Sequence, residues 1–140
     1  MLRFHHVGCA VKDLDDSTRV YRDQLGFQRV SRIIKVASQN VQVRFLELGT
    51  ATYLELVQPL AAGSFLDRFL GVGFYHACFL TESLETALGG LGNEFTRISE
   101  FRSEAFAGNR CAFVLTPERH LLELAEMAPE DFQTFFDSAQ

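Results

Sequence analysis

The chain has 140 residues, the length of one ordinary domain with a hydrophobic core of its own. Its hydrophobic fraction of 47% and charged fraction of 22% are typical of a globular protein. The net charge of −5 and the lack of a Lys/Arg cluster argue against nucleic acid as a partner. No apolar run is long enough for a membrane span, and residues 1–6 do not resemble a signal peptide. We therefore expect a cytoplasmic protein without a membrane partner, and three buried, reduced thiols: Cys9, Cys78 and Cys111.

The first half of the chain predicts the order β-α-β-β-β. An apolar strand is followed by a helix whose residues Leu14, Thr18, Tyr21 and Leu25 recur at helical spacing before Gly26 ends it. Three further segments have strand composition, and Gly49-Thr50-Ala51 connects the last two. The predicted strands cover 4–11, 27–36, 41–48 and 53–57.

The second half repeats this order after a connector, 60–72, that contains a short helix. A strand over 74–80 leads into an amphipathic helix that ends at Gly92. A strand over 95–101, a loop over 102–108 and a hairpin with strands 110–115 and 121–126 follow. A terminal helix begins near Pro129. Its apolar stripe packs on the sheet of the same chain or contacts another subunit, and comprises Phe132, Phe135 and Phe136.

Matching residues indicate that the two halves arose by internal duplication. His6 matches His76 and Leu14 matches Leu84 at a shift of 70, and Glu55 matches Glu123 at a shift of 68. Asp15 and Glu85, and Phe45 and Phe113, are further matches of the same kind. We predict one α+β domain over 1–140, with module one at about 3–59, the connector, module two at about 73–127 and a C-terminal helix at 129–138.

Each half carries a glutamate inside an apolar strand. Glu55 lies at the centre of Tyr53–Val57, and the same Leu-Glu-Leu core returns around Glu123. Burial of an ionised carboxylate without a partner costs several kcal/mol or more, so each needs a cation, a proton or a path to water. An apolar strand with a histidine precedes each glutamate, and these histidines are His6 and His76.

If the halves curl toward each other, these four side chains converge. Two histidines and two carboxylates suit one divalent first-row metal ion with open water positions, and Zn, Ni, Co, Fe and Mn are all admissible. Taken singly, a strand histidine is more often a hydrogen-bonded core residue, and a glutamate among leucines often reaches solvent at a sheet edge. The repetition of the pair in the same order favours the metal site.

Three other side chains, His5, His120 and Cys78, are less suited to be metal ligands. Strand alternation directs His5 away from His6, so we expect it at the surface or behind the ligands. His120 lies in a predicted turn and is expected to be solvated. Cys78 shares the face of His76, where a packed thiol is favoured over a soft metal ligand.

The sequence resembles the vicinal oxygen chelate superfamily, which includes glyoxalase I, methylmalonyl-CoA epimerase, bleomycin-resistance proteins and extradiol dioxygenases. The segments that carry the resemblance are 6–14, 21–27, Tyr53–Pro59, Phe74-Tyr75-His76, and 108–113 with Leu122-Glu123-Leu124. The resemblance implies paired βαβββ modules in an open, cup-shaped mixed sheet around the metal. It also implies a homodimer and places His6, Glu55, His76 and Glu123 on the four ligand positions.

Within this superfamily, the segments are most similar to methylmalonyl-CoA epimerase and glyoxalase I. That implies a metal-dependent lyase or isomerase, with Glu123 and Glu55 as catalytic bases and an acyl-CoA or a glutathione adduct as substrate. Bacterial epimerases can add a glutamate on the third strand as second base; here that strand offers Gln42 and Arg44, with Glu47 only near its end. Candidate substrate-binding residues are Arg44, Asn109 and Arg110.

Two other functions remain open at this point. A non-catalytic protein of the bleomycin-resistance type would sequester a ligand without chemistry. An extradiol dioxygenase would use an iron site of two histidines and one carboxylate, and the additional glutamate counts against it.

Overall fold

Two runs of β-α-β-β-β elements, the first with its second strand split in two, follow each other along the chain in a computed structural model that describes residues 1–140. The first run contains β1 (Arg3–Ala10), α1 (Leu14–Arg19), β2 (Arg29–Val30), β3 (Ile34–Val36), β4 (Val41–Glu47) and β5 (Tyr53–Pro59). The second contains β6 (Phe74–Thr81), α2 (Leu84–Gly89), β7 (Thr96–Ser103), β8 (Asn109–Leu115) and β9 (Leu121–Glu126), and α3 (Pro129–Ser138) ends the chain. None of the helices has the length and apolar character that a bilayer span requires.

All nine strands belong to one mixed sheet, in which the two halves have the same arrangement. The strand order is β2-β4-β5-β1-β6-β9-β8-β7, with β3 also on β4. In each half the first strand runs parallel to the last, β1 to β5 and β6 to β9, and the halves join through the antiparallel pair β1–β6. This architecture confirms the predicted α+β fold.

The outer ends of the sheet approach each other, so that the sheet forms a cup. The backbone N–H of Ala37 donates to Glu104 Oε2 at 3.1 Å, and the Ser38 hydroxyl donates to the carbonyl of Arg102 at 2.8 Å. These bonds connect the turn after β3 with the end of β7. They close the side of the cup between its two halves.

The predicted strand over 27–36 is wrong in one respect, because it is broken into β2 and β3. The segment from Val30 to Ile34 is one residue longer than the segment of β4 from Val43 to Leu46 that it faces. The extra residue is absorbed at Ser31, whose hydroxyl accepts the N–H of Phe45 at 2.9 Å. A bulge of this kind interrupts a strand without separating it from its partner. The predicted connector helix is a single short turn, Phe65–Phe69.

Aromatic side chains fill the end of the cup that lies under α3. Phe132 and Phe136 of α3 are fully buried there beside Phe45 of β4. Phe106 joins them from a short turn in the segment predicted to be a loop. The stripe of α3 therefore packs on the sheet of its own chain, and α1 and α2 cover the outer face. The three cysteines are free and buried, as predicted.

Candidate metal centre and pocket

The two predicted histidines and two predicted glutamates meet inside the cup. His6 Nε2 lies 3.0 Å from His76 Nε2. Glu55 Oε1 lies 3.4 Å from His6 Nε2 and 3.6 Å from His76 Nε2, and Glu123 Oε1 lies 3.5 Å from both. All four side chains are buried. One donor atom from each of four strands thus points into one small volume.

Strand register explains why these side chains meet. Gly8 of β1 pairs with Glu55 on one side and with His76 on the other. Because Gly8 has no side chain, the His76 ring lies directly over it, and a Cβ atom at position 8 would be 2.0 Å from His76 Cε1. Glu123 enters through its pairing with Cys78, two residues beyond His76 on β6. The glycine thus makes room for a ligand ring at the join between the halves.

Burial and neighbouring charges shift the pKa values of all four side chains in the cluster. Burial, aided by the charge of Glu123, raises the pKa of Glu55 to about 8. Burial and the neighbouring His76 lower the pKa of His6 to about 3. Burial also acts to raise the pKa of Glu123, but contacts with His76 and the charge of His6 outweigh it and leave that pKa below its usual value. Burial acts to lower the pKa of His76, but its contact with Glu123 and the charges of Glu123 and Glu55 outweigh it and raise that pKa above its usual value.

The donor atoms fit a divalent metal ion. Glu123 Oε1 is buried and has no hydrogen-bond partner, although it faces two ring nitrogens. At metal–ligand distances of about 2.1 Å, neighbouring donors are separated by about 3.0 Å at octahedral angles and about 3.4 Å at tetrahedral angles. The nitrogen–nitrogen and nitrogen–oxygen separations in the cluster run from 3.0 to 3.6 Å. Two nitrogens and two carboxylate oxygens are a donor set that first-row divalent ions accept.

His5 lies directly behind His6, which corrects the expectation that it faces away. Phe4 pairs with Phe79 and His6 pairs with Cys78, so β1 has one more residue here than β6 and forms a bulge. Side chains therefore do not alternate between the two faces of the sheet at this point. His5 Nδ1 is 2.7 Å from His6 Nδ1, and His5 is buried. In the tautomer that presents an unprotonated Nε2 to an ion, His6 carries its proton on Nδ1 and donates a hydrogen bond from there to His5 Nδ1. Such a bond fixes the tautomer and the ring orientation of a ligating histidine.

An aromatic cage holds His5 in that position. The His5 ring stacks on Tyr53 at 4.8 Å between ring centroids and meets the edge of Phe132 at 4.0 Å. Phe45 and Phe106 complete the cage. His5 Nε2 has no polar partner, so the rings are its only neighbours for a weak N–H···π contact. The adjacent pair His5-His6 was the only sequence signal for this residue.

A pocket of about 240 Å³ opens onto the cluster. Its walls are mostly apolar, and Glu55 and Glu123 are the only acidic residues among them, with no lysine or arginine. Tyr75, from the segment Phe74-Tyr75-His76, also lines the pocket, and the remaining polar side chains of the walls, which sequence patterns did not single out, are Gln39, Ser64, Ser99 and Ser103. Because they come from separate turns and strands that only the closed cup brings together, no local motif marks them.

The predicted substrate-binding residues lie away from this pocket. Arg44 faces outward, since its neighbour Phe45 faces the cup, and its Nε donates to the carbonyl of Ser31 at 2.9 Å. Arg110 likewise precedes the inward Cys111 and pairs with Glu100 at 3.2 Å. Asn109 begins β8 opposite Ser103 and is not part of the pocket wall.

Three further residues considered as a base or as metal ligands, Glu47, His120 and Cys78, lie outside the metal cluster. Glu47 is buried, and its carboxylate forms an ion pair with Arg29 at 2.8 Å and accepts the N–H of Ala51 at 3.1 Å. This carboxylate therefore stabilises the fold and does not line the pocket. His120 is exposed, as predicted. Cys78 is fully buried, and burial raises the pKa of its thiol, which agrees with a packed thiol.

Comparison with known proteins places this chain in a family. The family described as Glyoxalase/Bleomycin resistance protein/Dioxygenase superfamily matches residues 5–113. The chain belongs to this superfamily. Among superfamily members, the mouse mitochondrial methylmalonyl-CoA epimerase is 34% identical over 110 residues, which cover 76% of this chain and 60% of the relative. The ethylmalonyl-CoA/methylmalonyl-CoA epimerase of Cereibacter sphaeroides is 32% identical over 100 residues, 69% of this chain and 73% of that protein.

The chain spans 50% of the human mitochondrial methylmalonyl-CoA epimerase, to which it is 33% identical over 90 residues.

Solved structures within the superfamily share the fold over most of the chain. A methylmalonyl-CoA epimerase in complex with methylmalonyl-CoA and NH4+ is similar with a TM-score of 0.75 and 25% identity, over 89% of this chain and 94% of that chain. A Streptomyces coelicolor methylmalonyl-CoA epimerase variant in complex with 2-nitronate-propionyl-CoA is similar with a TM-score of 0.74 and 26% identity. The match covers 88% of this chain and 95% of that chain.

Proposed function

We propose that the protein is an acyl-CoA epimerase of the methylmalonyl-CoA type. Such an enzyme inverts the carbon that lies between a thioester carbonyl and a carboxylate. The observation that carries the proposal is the pair Glu55 and Glu123, the only carboxylates at the base of a mostly apolar pocket and next to two histidines. The relatives named as methylmalonyl-CoA epimerases support this choice of substrate.

The residues that would hold a divalent ion are His6, His76, Glu55 and Glu123. When bound, the ion supplies Lewis-acid chemistry, which stabilises negative charge on a carbonyl oxygen beside the reacting carbon. Apolar walls of the pocket keep water away, and this strengthens the electrostatic interactions within it. His5 keeps His6 in the tautomer that presents Nε2 to the ion.

Inversion requires that a proton leave one face of the carbon and return to the other. Glu123 comes from the second half of the sheet and Glu55 from the first, so the two carboxyl groups approach the pocket from different strands. A carboxylate has two oxygens, and one can face the ion while the other takes up a proton. We assign Glu123 as the group that removes the proton and Glu55 as the group that returns one, since these are the only carboxylates that line the pocket. In the reverse direction these roles exchange.

Isomerisation of a glutathione adduct, as in glyoxalase I, is the second candidate function. The donor set of two histidines and two glutamates favours it, because the resemblance implies that set for glyoxalase I. Both candidates need a proton moved next to a carbonyl, and they differ in the carrier thiol of the substrate.

Solvent-deuterium exchange on the metal-loaded protein, followed by NMR, separates these functions. Methylmalonyl-CoA is expected to lose its α-proton signal in D2O, while the methylglyoxal–glutathione adduct stays unchanged. Exchange confined to the glutathione adduct would overturn the epimerase in favour of the glyoxalase I-like enzyme. A protein that takes up no metal, binds ligand tightly and exchanges neither substrate would be a sequestering protein.

Assembly as a homodimer is a further part of the proposal, which rests on the superfamily resemblance. Light scattering in solution would measure twice the chain mass. A single chain mass at the same concentration would contradict it.

A further inference from the structure

The C-terminal helix α3 reaches the candidate metal centre through His5. Phe132 of α3 meets the His5 ring edge to face, and the 4.0 Å between their centroids is the shortest ring distance from His5 within the aromatic cage. His5 Nδ1 lies 2.7 Å from His6 Nδ1, and His6 Nε2 faces the other three donors of the cluster. Two contacts therefore connect a core side chain of the helix to a predicted metal ligand.

Tyr53 connects the same helix to His5 by a second route. Tyr53 pairs with His6 across strands β5 and β1, and its ring stacks on His5 at 4.8 Å between centroids. The hydroxyl of Tyr53 donates to Gln133 Oε1 of α3 at 2.7 Å. The His5 ring thus contacts one aromatic side chain that belongs to α3 and another that is hydrogen-bonded to it.

His5 depends on these rings for its orientation, because only one of its nitrogens has a polar partner. Nδ1 faces His6, whereas Nε2 is buried without a hydrogen bond. The χ2 torsion of histidine has broad minima, so packing must fix the plane of the ring. A ligating histidine usually bonds to a carboxylate, a backbone carbonyl or a water. Here the partner of the ligand is a side chain whose position depends on a cage that α3 completes.

We propose that α3 supports the metal centre through His5, so that docking of α3 on the cup and binding of the ion stabilise each other. Phe132 and Tyr53 fix the His5 ring, and His5 holds His6 in the tautomer that presents Nε2. Linkage makes the coupling reciprocal, because the factor by which the docked helix raises metal affinity equals the factor by which the ion favours docking. The inference rests on the metal centre of the proposed function. It adds a positioning role for a helix that supplies no donor atom.

Two phenylalanines of α3 provide the test and its matched control. Phe132 and Phe136 lie about one turn apart on the helix and are almost completely buried, at 1% and 0% exposure. Of the two, only Phe132 contacts the His5 ring, whereas Phe136 packs on Tyr53 and Phe132. Phe132→Leu and Phe136→Leu each keep an apolar side chain in the core, so both proteins are expected to fold. Thermal unfolding without metal would check this.

Competition titration with Zn²⁺ measures the metal affinity. Phe132→Leu is expected to weaken it about tenfold or more, on the scale of losses when an outer partner of a ligand is removed, whereas Phe136→Leu stays within about twofold. His5→Phe, which lacks the acceptor for His6 Nδ1–H, is expected to weaken it by a similar factor. Addition of Phe132→Leu to His5→Phe should then have no further effect, because the helix acts through His5.

Two further measurements need no turnover. In metal-free protein, ¹⁵N NMR of the imidazole rings is expected to show His6 protonated on Nδ1 in wild type and in Phe136→Leu, and a mixture of tautomers in Phe132→Leu. Hydrogen exchange is expected to show that Zn²⁺ slows the α3 amides more in wild type than in Phe132→Leu. Amides of α2, which covers the outer face, serve as the internal control and should respond equally in both proteins.

Equal Zn²⁺ affinity in Phe132→Leu and Phe136→Leu would overturn the inference, whatever the activity, and so would additive losses in the double variant. A His6 tautomer that is the same in all three proteins would also overturn it. Wild-type protein that exchanges no α-proton, yet binds Zn²⁺ about tenfold more tightly than Phe132→Leu, would retain the support by α3 and lose the epimerase. Wild-type protein without affinity for Zn²⁺ would overturn both.

Discussion

At the scale of single residues, the site depends on two glutamates whose pKa values are shifted in opposite directions. The pKa of Glu55 is raised by burial and by the charge of Glu123, whereas contacts with the histidines lower that of Glu123. Pairs of carboxyl groups whose pKa values are displaced in opposite directions are typical of sites with separate acid and base roles. The two side chains are thus chemically distinct, although their Leu-Glu-Leu contexts are the same.

Glu123→Gln is expected to abolish turnover, with a loss in kcat of about 10²-fold or more, because the amide cannot accept the proton. Metal content is expected to fall only in part, since three other donors and the amide oxygen remain. Exchange kinetics and elemental analysis of the same sample would measure the two effects separately. Glu100→Gln, an exposed carboxylate on β7, serves as control and should retain full activity. A metal-loaded Glu123→Gln protein with wild-type kcat would remove the base assignment.

A glycine sets the position of one ligand ring. Gly8→Ala places a methyl group 2.0 Å from the present position of His76 Cε1, so the ring must move away from the other donors. We expect metal affinity to fall by about tenfold or more, on the scale of losses seen when the supports of a ligand are removed. Titration of the protein with Zn²⁺ would measure it. Gly89→Ala adds the same methyl where nothing lies within 4 Å, and unchanged affinity in that variant is the matched expectation. Equal affinity in both variants would contradict the steric argument.

At the scale of elements, sequence patterns located nearly every strand but missed local irregularities. The break between β2 and β3 and the bulge at His5 each come from one additional residue opposite a shorter partner strand. Alternation of side chains assumes a regular ladder, so it predicted the wrong direction for His5. A bulge depends on the partner strand, and a single strand does not reveal it.

The helix α3 stabilises the cup from inside, because Phe132 is only 1% exposed and contacts the cage around His5. Phe132→Ala is expected to lower the free energy of unfolding by about 3–5 kcal/mol, the range for a large aromatic removed from a core. Phe135→Ala, a partly buried neighbour on the same helix, should cost clearly less. Urea denaturation of both variants gives the comparison. Equal losses would mean that α3 does not pack on the cup as described.

At the scale of the whole molecule, the repeat made the fold and the ligand set predictable. Residues such as His6 and His76 recur at equivalent positions, and the equivalence survives in the strand order of each half. The pocket walls were not predictable, because Gln39 and Ser99 come from opposite halves and meet only when the cup closes. Arg44 was placed in the site by its type of residue, and Arg110 by the resemblance of the segment 108–113. The register of β4 and β8 turns both outward.

A bound metal ion is expected to stabilise the closed cup. Ion at about 100 times its dissociation constant adds about 2.7 kcal/mol to the free energy of unfolding, if it binds only the folded chain. Thermal unfolding with Zn²⁺ and with a chelator would measure the difference in Tm. The Glu123→Gln variant should show a smaller shift than wild type. An identical Tm with and without ion would contradict a site built from all four donors.

The division of the donors between the two halves also bears on how the chain folds. His6 and His76 are 70 residues apart, and closure of so long a loop delays contacts of this kind. A chain with one finished half presents only one histidine and one glutamate, too few to retain an ion well. The ion would therefore leave the refolding rate unchanged and slow unfolding, in the manner of an interaction absent from the transition state. Stable metal uptake would then occur only in molecules whose two halves have already joined.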